Sequence, residues 1–334
     1  NDFTSRLPHA IFSIATVWFV MVFFRRYLGK YGAIAAGLLF AISPFMLFYG
    51  RYARNDALCA FFSVAAIYAV LRYLESGGAK YLMLFTVMLS LNFAAKETAY
   101  IFTALLMVFV FILAVFDFFK AANTDPKTRS QFLLNNLLVI GSVVLLIAVS
   151  VFFAKNSAAR LATGELNLPL PSAGISYSLI ETLQISVNLL WIALPIILPL
   201  LASLIFLYFS RKRLSWKLME DSRAFDLVVL NVIFVLPILA PFLVRFAGLN
   251  PVAYTDPFPL LADYIYLVYL AGLGVTIGAI WGKAHWWRYG IVFYGIYLVL
   301  FTTFFTNTAG LLTGPIGSLG HWLSQQTERR GGQP

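Results

Sequence analysis

Two arginines, an asparagine and an aspartate (Arg51, Arg54, Asn55 and Asp56) stand within six residues, RYARND, between two long apolar runs. Arginine presents a planar fork of donors that meets phosphate oxygens two at a time. A carboxylate beside such cations orients them and accepts from hydroxyl groups. If the hinge continues a helix, Arg51 shares a face with Arg54 and Asn55, and Tyr52 shares another with Asp56. A second polar island, Lys96 and Glu97 in NFAAKETAYIF, follows one apolar run and directly precedes the next. A lysine there suits a phosphate as a point charge. Both islands end helices of one small bundle, so their tight turns limit how far apart they can lie. Arg6 is a weaker fourth cation. Asp263 lies inside the entry of a late apolar run, where an ionisable residue is a functional candidate. The plainer alternative is an ordinary ion pair at 96–97 and arginines that snorkel to headgroups at 51–56.

The elements that carry these groups are apolar helices. The 334 residues are 61% hydrophobic and 11% charged, against about 45–50% and about 25% in soluble domains. That much apolar surface needs lipid as its solvent. A spanning helix takes about 20 mostly apolar residues. Ten runs qualify, near 8–24, 32–50, 57–74, 81–95, 98–117, 132–153, 183–209, 226–247, 259–281 and 289–306. The expected fold is all-α: a polytopic membrane protein of about ten transmembrane helices, forming a single domain over 1–334. Pro44, Pro195, Pro199, Pro237 and Pro241 lie inside these runs and predict kinks. The segment 155–182 is too apolar for a linker and is read as a loop packed on the outer face. Tyr254, Tyr264, Tyr266 and Tyr269 cluster around Asp256 and Asp263 as an interfacial aromatic belt would.

The net charge of +10 does not mark a nucleic-acid binder, because the basic residues sit in short loops rather than on one stripe. Cys59 is the only cysteine and the three histidines, His9, His285 and His321, are scattered, so no Cys/His pattern has metal-ligand spacing. Fifteen of the 24 lysines and arginines fall in one alternating set of loops, around 25–30, 72–80, 120–129, 211–223 and 283–288. That richer set is expected on the cytoplasmic side. The first residues, the 51–56 hinge, 96–97, 155–182 and the C-terminal tail then face outward. The cytoplasmic loops are too short for a nucleotide-binding domain, and no glycine-rich phosphate loop opens a helix. A donor substrate is therefore expected to be lipid-linked. A transporter would show paired repeats and charges near mid-membrane, whereas these charges sit at span ends. A transporter or flippase-associated protein and a non-catalytic scaffold of glycan assembly remain the other classes.

NDFTSRLPHAIFS at the start, YGRYARNDALCAFF at 49–62 and AAKETAYIF at 94–102 together resemble landmarks of the GT-C glycosyltransferase superfamily. That group includes the aminoarabinose transferases of lipid A and the dolichyl-phosphate-mannose protein mannosyltransferases. The stretch LFTTFFTNTAGLLTGPIGSLGHWLSQQTERRGGQP, 300–334, is similar to the end of the "flippase activity-associated" membrane proteins within it. The resemblance implies an inverting enzyme of the plasma membrane. It would move a sugar from a polyprenyl-phosphate carrier to a glycan, lipid or protein acceptor on the outer face, among membrane lipids. It implies a catalytic acid in a first outer loop, ahead of the segment with which this sequence begins. The chain is accordingly expected to be a fragment, and Asp2 follows the place of that acid rather than filling it. His321 stands where a tyrosine is implied. Arg51, Arg54, Lys96 and Arg6 would then meet phosphate, with Asn55 and Asp263 as further substrate contacts. Asp56 in support and Glu97 would orient the cations, meet sugar hydroxyls or hold a divalent ion, the cofactor being left open.

The orientation is directly testable. In a Cys59→Ser background, Arg213→Cys and Glu165→Cys are expected to react with a membrane-impermeant thiol reagent from opposite sides. Equal labelling from outside would contradict the charge asymmetry that sets the topology.

Overall fold

The computed structural model describes residues 2–50, 54–122, 221–246, 249–254 and 257–325. Every regular element among them is helical: α1 Asp2–Phe23, α2 Arg25–Ile42, α3 Pro44–Tyr49, α4 Asp56–Ser76, α5 Ala79–Ala95, α6 Thr98–Ala122, α7 Arg223–Ile238, α8 Ala240–Phe246, α9 Pro257–Trp281, α10 Trp286–Phe301, α11 Gly310–Leu312 and α12 Ser318–Gln325. A π turn, Thr313–Gly317, joins the last two. Four helices are long and apolar enough to cross a membrane: Thr4–Phe23, Asp56–Ser76, Thr98–Lys120 and Ala262–Ala279. The bent pair α7 and α8 makes a fifth if it counts as one span.

The expectation of about ten spans is not met among the described residues, for identifiable reasons. The runs 132–153 and 183–209, the loop 155–182, and Pro195 and Pro199 lie outside them. The run 32–50 is two helices: α2 ends at Ile42 with Ser43 as its cap, and Pro44 takes the first turn of α3, where its missing N–H removes no bond. The 226–247 run is bent by 52° between α7 and α8. Pro237 and Pro241 flank that break, and neither can donate to the helical ladder. The 81–95 run forms the short helix α5, and the 289–306 run stops at Phe301.

The chain divides into two units. The first comprises 1–117, 221–231 and 283–314; the second comprises 118–220, 232–282 and 315–334. In the first unit α5 packs against α4 and α10, and α1 against α2 and α4. Ala57, Ala65, Ala66 and Ala69 are buried on α4, and such small residues let apolar helices approach closely in lipid. Phe12 and Phe19 of α1 meet Phe61, Phe62 and Tyr68 of α4 edge to face. The order of these contacts makes α1 and α4 run parallel. Polar groups also stitch the helices: Asn92 donates to the Ser63 hydroxyl at 3.0 Å, and Ser90 donates to the Phe293 carbonyl at 2.6 Å.

One end of this unit is a knot of charge. Arg26 lies 3.1 Å from Glu75, which Arg72 also meets at 2.7 Å. Tyr73 donates to Asp226 at 2.5 Å, and Lys283 stands 3.2 Å from the same carboxylate oxygen. Ser222 caps α7 by accepting from the Phe225 N–H, and its hydroxyl donates to Asp117 at 2.7 Å. Helix α4 ends on Gly77 in the left-handed region, φ 67°, a position glycine takes without steric penalty. The Arg223 guanidinium lies where a side chain at 77 would stand. It donates to the Leu74 and Glu75 carbonyls at 2.9 and 2.5 Å, satisfying groups a helix end leaves open. Arg26, Arg72, Arg223 and Lys283 all belong to the basic-rich loop set. The structure thus gathers these members at one end, as alternating topology requires.

In the second unit α8 packs on α9 and α12. The backbone of α9 at Gly274 comes close to the Ile233 carbonyl.

The Asp226 knot ties three distant stretches of sequence into the first unit, so it is expected to control stability. Asp226→Asn keeps an acceptor for Tyr73 but removes the charge facing Lys283. A hydrogen bond to a charged group contributes about 1.5–3 kcal/mol, and the variant is expected to lose about that much. A clear fall in the thermal midpoint in detergent is the expected readout; an unchanged midpoint would mean the knot does not hold the unit together.

Candidate functional site

The opposite end of the first unit carries the two polar islands. The hinge does not continue a helix at its described positions: α3 ends at Tyr49, Arg54 sits in a bend, Asn55 in a turn, and Asp56 opens α4. The shared-face arrangement expected for a helical hinge therefore does not apply. Arg51 lies outside the described residues, as does Asp256.

Helix α5 ends at Ala95, and Lys96 turns the backbone out of the helix in an extended conformation. The Asn55 amide donates to the Ala95 carbonyl at 2.8 Å. This satisfies one of the carbonyls that a helix C-terminus leaves open and ties the hinge to α5. On the other side of the turn, the Asn55 carbonyl accepts from Cys59 at 3.0 Å and starts the α4 ladder. Tied in this way, the starts of α4 and α6 and the end of α5 meet at one place.

Asp56 is the hub. Its Oδ1 pairs with the Lys96 ammonium, and its Oδ2 lies 3.5 Å from Nε of Arg54. The Asp56 side chain is 12% exposed, Lys96 22% and Arg54 57%. The carboxylate is thus tucked in, and the arginine reaches out. The Arg54 guanidinium also lies over the Tyr49 ring, 5.5 Å from its centre, a contact that steadies a cation. Asp56 at the first residue of α4 further suits the helix dipole. Two cations share one anion, leaving an excess positive charge beside a part-buried carboxylate. The Lys96–Glu97 ion pair considered from sequence does not form; Lys96 turns to Asp56, and Glu97 is exposed.

Arg6 is exposed near the start of α1. Parallel packing of α1 and α4 places it toward this same end, and Ser13, two turns further along α1, already lies against Gly50. Asp263 belongs to the second unit. It is fully buried on α9, and among the described residues neither of its oxygens has a hydrogen-bond partner. Burial, and after it the Asp263 charge, raises the Tyr254 phenol above its ordinary pKa.

A divalent ion does not fit the hinge. Asp56 faces a lysine and an arginine, and among the described residues no three His, Cys, Asp or Glu side chains come together. Chemically, the cluster is suited to hold an anion with hydroxyl groups nearby.

Sequence reasoning singled out Asp56, Arg54 and Lys96, which the structure brings together, but missed what joins them. The Asn55 bond to Ala95 is a tertiary cap with no spacing signal. Asp226 was missed although a signal existed: it is an ionisable residue inside an apolar run, and such residues have partners.

Comparison with known proteins gives one family. A family model described as dolichyl-phosphate-mannose-protein mannosyltransferase matches residues 1–154. That stretch holds Arg6, Arg54, Asn55, Asp56, Lys96 and Glu97, and leaves Asp263 beyond it. No curated protein and no solved structure matches.

Proposed function

We propose that this chain is a membrane glycosyltransferase of the GT-C type. It would take a sugar from a polyprenyl-phosphate carrier and pass it to an acceptor at the outer face of the plasma membrane. The observation that carries the reading is the Asp56 hub with Lys96 and Arg54, inside the stretch similar to the mannosyltransferase family.

The acceptor hydroxyl oxygen attacks the anomeric carbon from the face opposite the phosphate, which inverts that centre. The carbon–oxygen bond to phosphate breaks, and the carrier leaves as a phosphate monoester. The hydroxyl proton passes to a general base. Negative charge grows on the leaving phosphate, so cations held in place beforehand stabilise the transition state more than the ground state. Lys96 and Arg54 serve as those cations, with Arg6 toward the same end of the unit and Arg51 a further candidate from its place in the sequence. Asp56 supports them by fixing their positions while the site is empty. It also keeps the site from being purely cationic, which would hold the phosphate product and slow its release. Asn55 shapes the hinge, and Glu97 is available to a sugar hydroxyl at the surface. Asp263 is a separate candidate: a buried carboxylate whose oxygens have no hydrogen-bond partner among the described residues is ready to accept from a hydroxyl.

The test uses the full-length protein in proteoliposomes. Asp56→Asn is expected to express and insert normally, to bind polyprenyl phosphate as well as before or more tightly, and to lose most transfer. Lys96→Ala and Arg54→Ala each remove a charge-assisted bond of about 1.5–3 kcal/mol, so carrier binding is expected to weaken roughly ten- to a hundredfold. Near-normal transfer by Asp56→Asn, with unchanged carrier affinity in the other two, would return these residues to a structural role at the membrane surface.

A further inference from the structure

The residues after α10 form a small closed loop of unusual backbone. Helix α10 stops at Phe301, and Thr303, Phe304 and Phe305 follow with φ of 49°, 55° and 65°. Three consecutive residues other than glycine in the left-handed region, two of them bulky, form a strained arrangement that persists only when its surroundings enforce it. Here they do. The buried Thr302 hydroxyl donates to the Leu298 carbonyl at 2.7 Å and accepts from the Phe305 N–H at 3.1 Å. The Phe304 N–H reaches the Val299 carbonyl at 2.8 Å, and the Asn307 N–H reaches the Thr302 carbonyl at 2.9 Å.

The chain then returns to its starting point. Gly310 packs its backbone on Phe301 and Thr302 so closely that a side chain there would fall on the Phe301 carbonyl. Gly314 lies against the Phe301 ring, and the buried Tyr297 hydroxyl donates to the Gly314 carbonyl at 2.9 Å. Between the buried Thr302 and the buried Gly310, every residue from 303 to 309 is exposed. Phe304 is 72% and Phe305 66% exposed. The result is a braced finger that presents two phenyl rings to its surroundings.

The finger stands at the end of the first unit that carries Lys96. Phe293 of α10 is level with Ser90 and Phe93 of α5. Lys96 follows those residues by one to two turns, and Thr302 follows Phe293 by two and a half. At 1.5 Å per residue the base of the finger is roughly 5–10 Å beyond Lys96. Its base therefore stands at the same end of the unit as the cations, past them along the helix axis. On the transferase reading, the isoprenoid chain of a carrier would lie along the apolar helices, and its sugar would lie beside the phosphate that the cations hold.

We propose that the 303–309 finger is an acceptor site that binds an oligosaccharide, the two rings stacking on the C–H faces of sugars. The inference rests on the transferase reading for the word acceptor. Rigid rings contribute contact area at small entropic cost. Asn307 and Thr308, exposed beside them, offer the amide and hydroxyl groups that a sugar's rim needs. Ligand sites of this kind join an apolar surface to a few placed polar groups.

The experiment is saturation-transfer NMR on the full-length protein in nanodiscs, irradiating aromatic protons. Mannotriose, maltotriose and N-acetylchitotriose are the probes, without donor. At least one trisaccharide is expected to receive saturation. The variant Phe304→Gly/Phe305→Asn is expected to reduce that signal roughly fivefold or more. Glycine and asparagine enter the left-handed region more easily than phenylalanine, so its thermal midpoint is expected to stay or rise, which separates lost binding from lost fold. Lys96→Ala is expected to leave the saccharide signal intact while weakening polyprenyl-phosphate binding. No transfer to any trisaccharide, or transfer that survives the double variant, would overturn the finger's role. Transfer to a Ser/Thr-rich peptide in place of the sugars would do so too and would point to a protein acceptor. Saccharide transfer together with no carrier binding by the unaltered protein would overturn the transferase reading, leaving the finger a saccharide site but not an acceptor site.

Discussion

A charged group inside hydrocarbon must find a partner or leave, and the first unit is organised around that constraint. Its helices are apolar along their lengths and carry their charges at the two ends. At one end Arg26 and Arg72 share Glu75, and Lys283 and the Tyr73 hydroxyl share Asp226. At the other, a single carboxylate, Asp56, serves both Lys96 and Arg54. The first arrangement ties distant stretches of the chain together. The second is incomplete by one negative charge, and an incompletely neutralised site at a helix end is where an anion binds with the least reorganisation.

The two ends also differ in how they are braced. Asp226 holds Tyr73 and Lys283, while close by Ser222 donates to Asp117 and Arg223 caps the end of α4, so separate bonds tie distant stretches together. Around Asp56, the backbone is fixed by Asn55 and Ala95 while Arg54 stays more than half exposed. A fixed frame with a movable cation is what capture and release of a phosphate calls for. Beyond it, the Thr302–Gly310 excursion shows the opposite choice, a strained backbone held rigid by its own hydrogen bonds.

Composition was enough to read the all-helical, lipid-facing character, because no other solvent accommodates such a surface. The candidate residues at 54–56 and 96 were legible because polarity inside long apolar runs needs a reason. Their pairing was not, since Asp56 and Lys96 are forty positions apart and only the packing of α4 on α5 brings them together. Hydropathy averages over breaks: Ser43–Pro44 and Leu239 interrupt apolar runs without changing their composition. It does so again at Phe301, where the side chain of Thr302 and a left-handed run end a helix that hydropathy would continue. Helix α5 shows a further limit, being mostly apolar yet only 17 residues long.

The central claim is that Asp56 and Lys96 act as one device in sugar transfer, and a double-mutant cycle on the transfer rate from a polyprenyl-phosphate-linked sugar tests it most directly. The four forms are the unaltered protein, Asp56→Asn, Lys96→Met and the two together. If the pair works as a unit, the double variant is no worse than the poorer single one, and the coupling exceeds about 1 kcal/mol. Effects that add within about 0.3–0.5 kcal/mol, or single variants that transfer at the normal rate, would contradict it.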